Sequence, residues 1–123
     1  HGKKDLGAWR RGDVFMASFP TQTQPGITSH VQNCYRPWIV VQNNKGNKSS
    51  GTIIIVPLTT QMKRVDMQTH AVLQYGRLKK SVVMCEQVRV VDNSEYWEFV
   101  EHIPDKMKRR IDAALCVALG LKQ

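Results

Sequence analysis

Before residue 105 no apolar run in this chain exceeds six residues, and beyond it the hydrophobic spacing becomes helical. The runs at 14–19, 38–41, 52–56, 71–73, 81–85 and 88–91 are rich in β-branched and aromatic residues and have the length of strands. Three consecutive isoleucines, Ile53, Ile54 and Ile55, mark the clearest of them and predict a strand buried on both faces. Asn43, Asn44, Lys45, Gly46 and Asn47 read as a turn. From Asp105 onward Met107, Ile111, Ala114, Leu115, Ala118 and Leu119 share one helical face, with Pro104 at its start and Gly120 as a C-cap. Short strands, turn-rich joints and one terminal amphipathic helix predict a mainly β fold with α additions, a small, partly open β-barrel.

A chain of 123 residues is expected to form a single domain over 1–123, with residues 1–10 as a flexible lead-in. Eighteen Lys and Arg against ten Asp and Glu give +8 at pH 7, which favours a polyanionic partner without naming one. Lys106, Lys108, Arg109 and Arg110 crowd the first two turns of the predicted helix, where the helix dipole disfavours cations. Contact with an anion and a solvated basic face both remain open there. The three cysteines form no C-x-x-C pair, so a zinc site has little support and no metal is expected. Cys85 and Cys116 lie in apolar runs and read as buried small hydrophobes, whereas Cys34 sits in a polar loop. This usage, with no run of about 18 apolar residues and no signal-peptide pattern, predicts a cytoplasmic protein without a membrane span.

The residues from Pro20 to Tyr35 are polar and aperiodic, and a loop of that length in a small domain is commonly functional. Arg36 ends it. Thr59, Thr60 and Gln61 follow the central strand, and Glu86, Gln87 and Arg89 fall between two late ones. Taken singly, each reads as an ordinary surface residue. Together they suit RNA scission, in which the 2′-OH attacks the adjacent phosphate. Such a reaction needs acid–base groups and aimed donors, and an arginine fork fits a phosphate.

An ordered series of motifs sharpens this. Arg11-Gly12-Asp13-Val14-Phe15 opens it, and Tyr35-Arg36-Pro37-Trp38-Ile39-Val40-Val41-Gln42-Asn43 follows. Lys45-Gly46-Asn47, Val56-Pro57-Leu58-Thr59-Thr60-Gln61, Thr69-His70, Ser81-Val82 and Glu86-Gln87-Val88-Arg89 continue it, and the segment from Ile111 to Leu121 closes it. From Arg11 to Leu121 the series resembles the MazF/PemK toxins of type II toxin–antitoxin systems. The resemblance implies an SH3-like (CcdB/PemK-type) β-barrel with a C-terminal helix and a homodimer. It also implies a cofactor-free endoribonuclease, an mRNA interferase that cuts single-stranded RNA at short motifs and leaves 2′,3′-cyclic phosphate and 5′-OH ends. A cognate acidic, MazE-like antitoxin is implied as partner. By the same resemblance Arg36 and Thr59 are catalytic, and Gln61, Ser81, Glu86 and Gln87 shape the RNA-binding surface.

The sequence departs from the family in the polar loop, which from Pro20 is longer than in compact relatives. Many relatives carry a Glu-Gln-x-Gly-x-Arg-Pro loop, but here Val31 replaces the acid and Cys34 the glycine. The base role of that glutamate therefore does not carry over. His30 is a conceivable substitute, since imidazole titrates near neutrality, although an ordinary loop histidine is the preferred reading. His70 is expected to hydrogen-bond within the barrel. Two alternatives stand beside the nuclease: a CcdB-like gyrase poison, and a module on the same fold that binds RNA without cutting it.

Overall fold

The computed structural model describes residues 2–20, 34–62 and 64–122. His30, Val31 and most of the long polar loop lie outside the described residues, as does the side chain of Cys34. The chain forms strands β1 (Asp13–Phe19), β2 (Cys34–Val40), β3 (Thr52–Thr59), β4 (His70–Tyr75), β5 (Leu78–Met84), β6 (Arg89–Asp92) and β7 (Glu98–His102). Helix α1 (Asn44–Ser49) lies between β2 and β3, and α2 (Asp105–Leu119) follows β7. No helix among the described residues is long and apolar enough to cross a membrane.

The seven strands make one sheet, six of them in the order β4-β5-β3-β2-β1-β7 with β6 paired to β3 off that path. Strand β3 divides between two partners: Thr52–Ile55 pair with β6, while Leu58 and Thr59 pair with β5. No pairing joins β4 to β7 among the described residues, so the sheet curls like a barrel but stays open.

Strand alternation explains why β1, β2 and β3 read as nearly continuous apolar runs: each feeds two cores. Val14, Ile39, Val56 and Leu58 point into a cluster closed by Ile111 and Ala114 of α2. Phe15, Ala17, Trp38, Val40, Ile53 and Ile55 point the other way, onto Trp9, Val91 and Trp97. Both clusters are apolar, and burying one such side chain stabilises by about 1.5–3 kcal/mol. The isoleucine strand is thus buried on both faces as expected, except that Ile54 is only half-covered. In the second core Phe15 stacks on Trp97 with centroids 4.3 Å apart, and Trp9 tilts against both rings.

Two segments differ from the sequence reading. The expected turn at 43–47 folds instead as helix α1. The Asn43 side chain accepts from the Gly46 N–H at 2.8 Å, an N-cap, and the buried Asn47 exchanges side-chain hydrogen bonds with Gln42. Strand β7 was not anticipated at all. The residues before β1 also make specific contacts: Trp9 is 1% exposed, Gly2 bridges to Phe99, and Lys4 reaches Asp13.

Helix α2 ends as the sequence predicts. Gly120 takes φ +69°, a left-handed conformation that glycine adopts without a side-chain clash, and Leu121 N–H reaches back to the Cys116 carbonyl at 2.8 Å. Ile111 and Ala114 are buried, Met107, Leu115 and Ala118 pack partly, and Leu119 is exposed. Lys106, Arg109 and Arg110 are exposed, and Lys108 pairs with Asp105 at 3.5 Å.

Cys85 is buried, as expected, whereas Cys116 is half-buried. Burial, with a smaller contribution from the Glu86 charge, pushes the Cys85 thiol up to about 12. A thiol that rarely ionises is a poor nucleophile. In native protein an alkylating reagent should therefore label Cys116 and leave Cys85 unmodified until denaturant is added, as read by peptide mass mapping. Labelling of both at equal rates would contradict this packing.

Candidate active site

The Arg-Gly-Asp opening of β1 is a structural knot. Asp13 is fully buried, and its carboxylate accepts from Lys4 Nζ (2.7 Å), His102 Nδ1 (2.7 Å) and the Arg10 backbone N–H (2.8 Å). Gly12 donates to the Val40 carbonyl and accepts from Ile103 N–H. Arg11 donates to the Val41 carbonyl and pairs with Asp112 of α2. One tripeptide thus ties the lead-in, β2, β7 and α2 together, and fixes β1 beside β2.

Strands β2 and β3 carry the two central candidates. Their register pairs Trp38 with Pro57 and Ile39 with Val56. Arg36 and Thr59 lie on these two adjacent strands, just beyond the last pair of that ladder. Both are half-buried. The Thr59 Oγ1 accepts from Gln61 N–H at 3.2 Å, which holds the side chain and leaves its hydroxyl proton for another acceptor.

Both residues line a cleft of about 670 Å³. Its opposite wall is the tip of the β4–β5 hairpin, which brings in Arg77 and Lys79, while β7 contributes Glu98. The tip is tied to β7, because Arg77 N–H donates to Glu101 Oε2 at 3.0 Å. Gly76 makes that approach possible: it sits at φ +55°, and a Cβ there would lie 2.3 Å from the same oxygen. Arg36, Arg77 and Lys79 give the cleft a positive lining, interrupted by Glu98. Such a lining suits a phosphate backbone.

Not all the candidates read from sequence share this cleft. Ser81 does, but it is buried and its hydroxyl donates to the Lys79 carbonyl at 2.7 Å. Glu86 lies elsewhere, bound to His70 Nε2 (3.0 Å) and Thr69 Oγ1 (3.3 Å). Desolvation raises its pKa, but the hydrogen bond and charge of His70, its own backbone N–H and Thr69 outweigh that, and the net shift is downward. A depressed carboxylate contributes stability that is present above its unfolded pKa and lost as pH falls through the folded one. The Glu86 carboxylate therefore stays ionised at neutral pH, and its contribution is lost only as pH falls through and below the ordinary glutamate range. His70 also contacts the Arg64 carbonyl at 2.9 Å, so it hydrogen-bonds within the fold as expected. Gln87 is exposed and reaches only Met84 Sδ at 3.6 Å, and Gln61 is exposed beside Thr59. Arg89 lies over the rings of Phe19 and Trp38, at 5.2 and 6.0 Å. Among the described residues, no group of three His, Cys, Asp or Glu side chains is placed to hold a metal ion.

Sequence reasoning missed Tyr35, Glu98, Arg77 and Lys79. Tyr35 was quoted only as part of a motif. The only local signal for the hairpin cations was their place beside the Tyr75-Gly76 turn, and Glu98 had none, because β7 was not foreseen.

Residues 10–119 match the PemK-like, MazF-like toxins of type II toxin–antitoxin systems. The chain belongs to the PemK/MazF toxin family. Among curated relatives, Endoribonuclease EndoA of Bacillus subtilis (strain 168) is 33% identical over 115 residues, 91% of this chain and 95% of that protein. The PemK/MazF fold is also that of solved structures. An endoribonuclease from a mycobacterial species superposes with TM-score 0.74 at 20% identity, over 98% of this chain and 99% of the other. MazF in a MazE–MazF complex from Deinococcus radiodurans gives 0.70 at 22% identity, over 92% and 96%.

Proposed function

We propose that this PemK/MazF toxin is a sequence-specific endoribonuclease that cuts single-stranded RNA, messenger RNA above all, without a metal ion. The observation that carries the proposal is that Arg36 and Thr59, from adjacent strands, line one cation-lined cleft, in a chain 33% identical to a named endoribonuclease. The 2′-OH gives up its proton to solvent as its oxygen bonds to the adjacent phosphorus, and the bond from phosphorus to the 5′-oxygen breaks, the leaving oxygen taking up a proton. Arg36 stabilises the phosphorane with its two-pronged donor face and protonates or polarises the leaving oxygen. Thr59 donates its hydroxyl to a non-bridging oxygen. Arg77 and Lys79 hold flanking phosphates. Because the nucleophile belongs to the substrate, no metal-bound water is required. Gln61 and Gln87, both exposed, reach RNA directly, whereas Ser81 and Glu86 act through the backbone and the histidine they hold.

The protein acts as a homodimer in the cytoplasm. An acidic antitoxin segment restrains it, as suits a surface of +8 net charge. A long mixed-sequence RNA incubated with the protein in EDTA should be cut to fragments with 2′,3′-cyclic phosphate and 5′-OH ends. A 2′-deoxy nucleotide at the scissile position should block cutting while binding remains measurable. Cutting of that deoxy substrate overturns the mechanism, and binding of RNA without cutting overturns the assignment as an enzyme.

A further inference from the structure

Tyr35 immediately precedes Arg36 and lines the same cleft, yet its side chain is 57% exposed. Its hydroxyl donates to Glu98 Oε2 at 2.8 Å. The register places Tyr35 opposite Ser18 and Glu98 opposite Met16, on the two strands that flank β1. The bond therefore spans β1 and anchors the ring by its edge, leaving ring surface exposed at the cleft. A carboxylate in a cleft lined by Arg36, Arg77 and Lys79 opposes phosphate binding. Its position is accounted for if it holds the tyrosine. Unpaired nucleobases bind proteins by stacking on exposed aromatic rings beside positive charge, and every base offers a π-face.

We infer that Tyr35 is a stacking platform for one nucleobase flanking the phosphate at Arg36, held in position by Glu98. It is a substrate-positioning residue, and the inference rests on the endoribonuclease reading only in that the ligand is single-stranded RNA. The phenol keeps the proton this tether needs, since partial desolvation and the Glu98 carboxylate both raise its pKa.

The test uses RNA oligonucleotides carrying 2-aminopurine, whose fluorescence is quenched by stacking, at each position in turn. They are bound to full-length Arg36→Ala protein so that the complex stays uncut. Quenching is expected at one position, to be weakened in Tyr35→Phe, which loses the Glu98 tether, and lost in Tyr35→Leu. In otherwise unaltered protein, Tyr35→Leu should raise KM for RNA by roughly ten-fold, the scale of one lost base–ring stack, with kcat within about two-fold. Circular dichroism checks that the leucine variant is folded, as an exposed position predicts. Equal quenching with Tyr35 and Leu, or a fall in kcat at constant KM, overturns the platform. If the unaltered protein cuts no RNA, the nuclease reading fails, and the quenching experiment still decides whether Tyr35 stacks on a base.

Discussion

Replacing Arg36 by alanine is expected to lower the single-turnover cleavage rate at saturating RNA by on the order of a hundred-fold or more. That is the scale seen when one transition-state donor is removed. The side chain is half-buried and belongs to neither hydrophobic cluster, so the variant should melt within a few degrees of the unaltered protein. Arg36→Lys separates charge from geometry. A lysine keeps the positive charge but loses the paired donors that match two phosphate oxygens, so it should recover only part of the rate. A variant that weakens RNA binding but leaves the saturated rate intact would move Arg36 from the chemistry to the binding surface.

The largest loss of stability is expected at Asp13. Asp13→Ala removes the common acceptor of Lys4, His102 and the Arg10 N–H, and leaves those donors facing a buried hole. Breaking a buried charged cluster by deleting one partner costs about 3–5 kcal/mol. The lower end applies here, because Lys4 and His102 keep side-chain exposures of 20% and 25%. Asp13→Asn keeps an acceptor oxygen and should lose less. Urea denaturation would show the difference as a fall in midpoint with an unchanged slope. A loss below about 1 kcal/mol for the alanine variant would show that other contacts hold the lead-in and β7 in place.

The strands with apolar runs were legible because local composition and burial agree there. For β3, the unbroken isoleucines even foretold two covered faces. Segments whose conformation is decided by distant partners were not. Residues 43–47 have turn composition, and only the buried amide of Asn47 and the cap from Asn43 favour a helix. Strand β7 interleaves Glu98 and Glu101 with apolar residues, and both carboxylates reach remote groups: Tyr35 and the Arg77 backbone. Trp9 is isolated in a basic stretch, so no periodicity announced that it fills the second core. The site divides the same way. Arg36 and Thr59 stood out through an ordered series of motifs, although nothing local says they line one cleft. Arg77, Lys79 and Glu98 join them only once a hairpin tip and a seventh strand have folded back.

The two clusters that share β1, β2 and β3 have a consequence for chemistry. Arg36 and Thr59 sit on strands packed into clusters on both faces, a frame that is built before any ligand arrives. If the two are donors to the phosphorane, as proposed, they need little rearrangement as charge develops there, which is the condition under which fixed dipoles outperform mobile water. On that reading a flexible single strand must lose its own conformational freedom to fit the frame. The cost of discriminating between RNA sequences would then fall on the entropy of the nucleic acid.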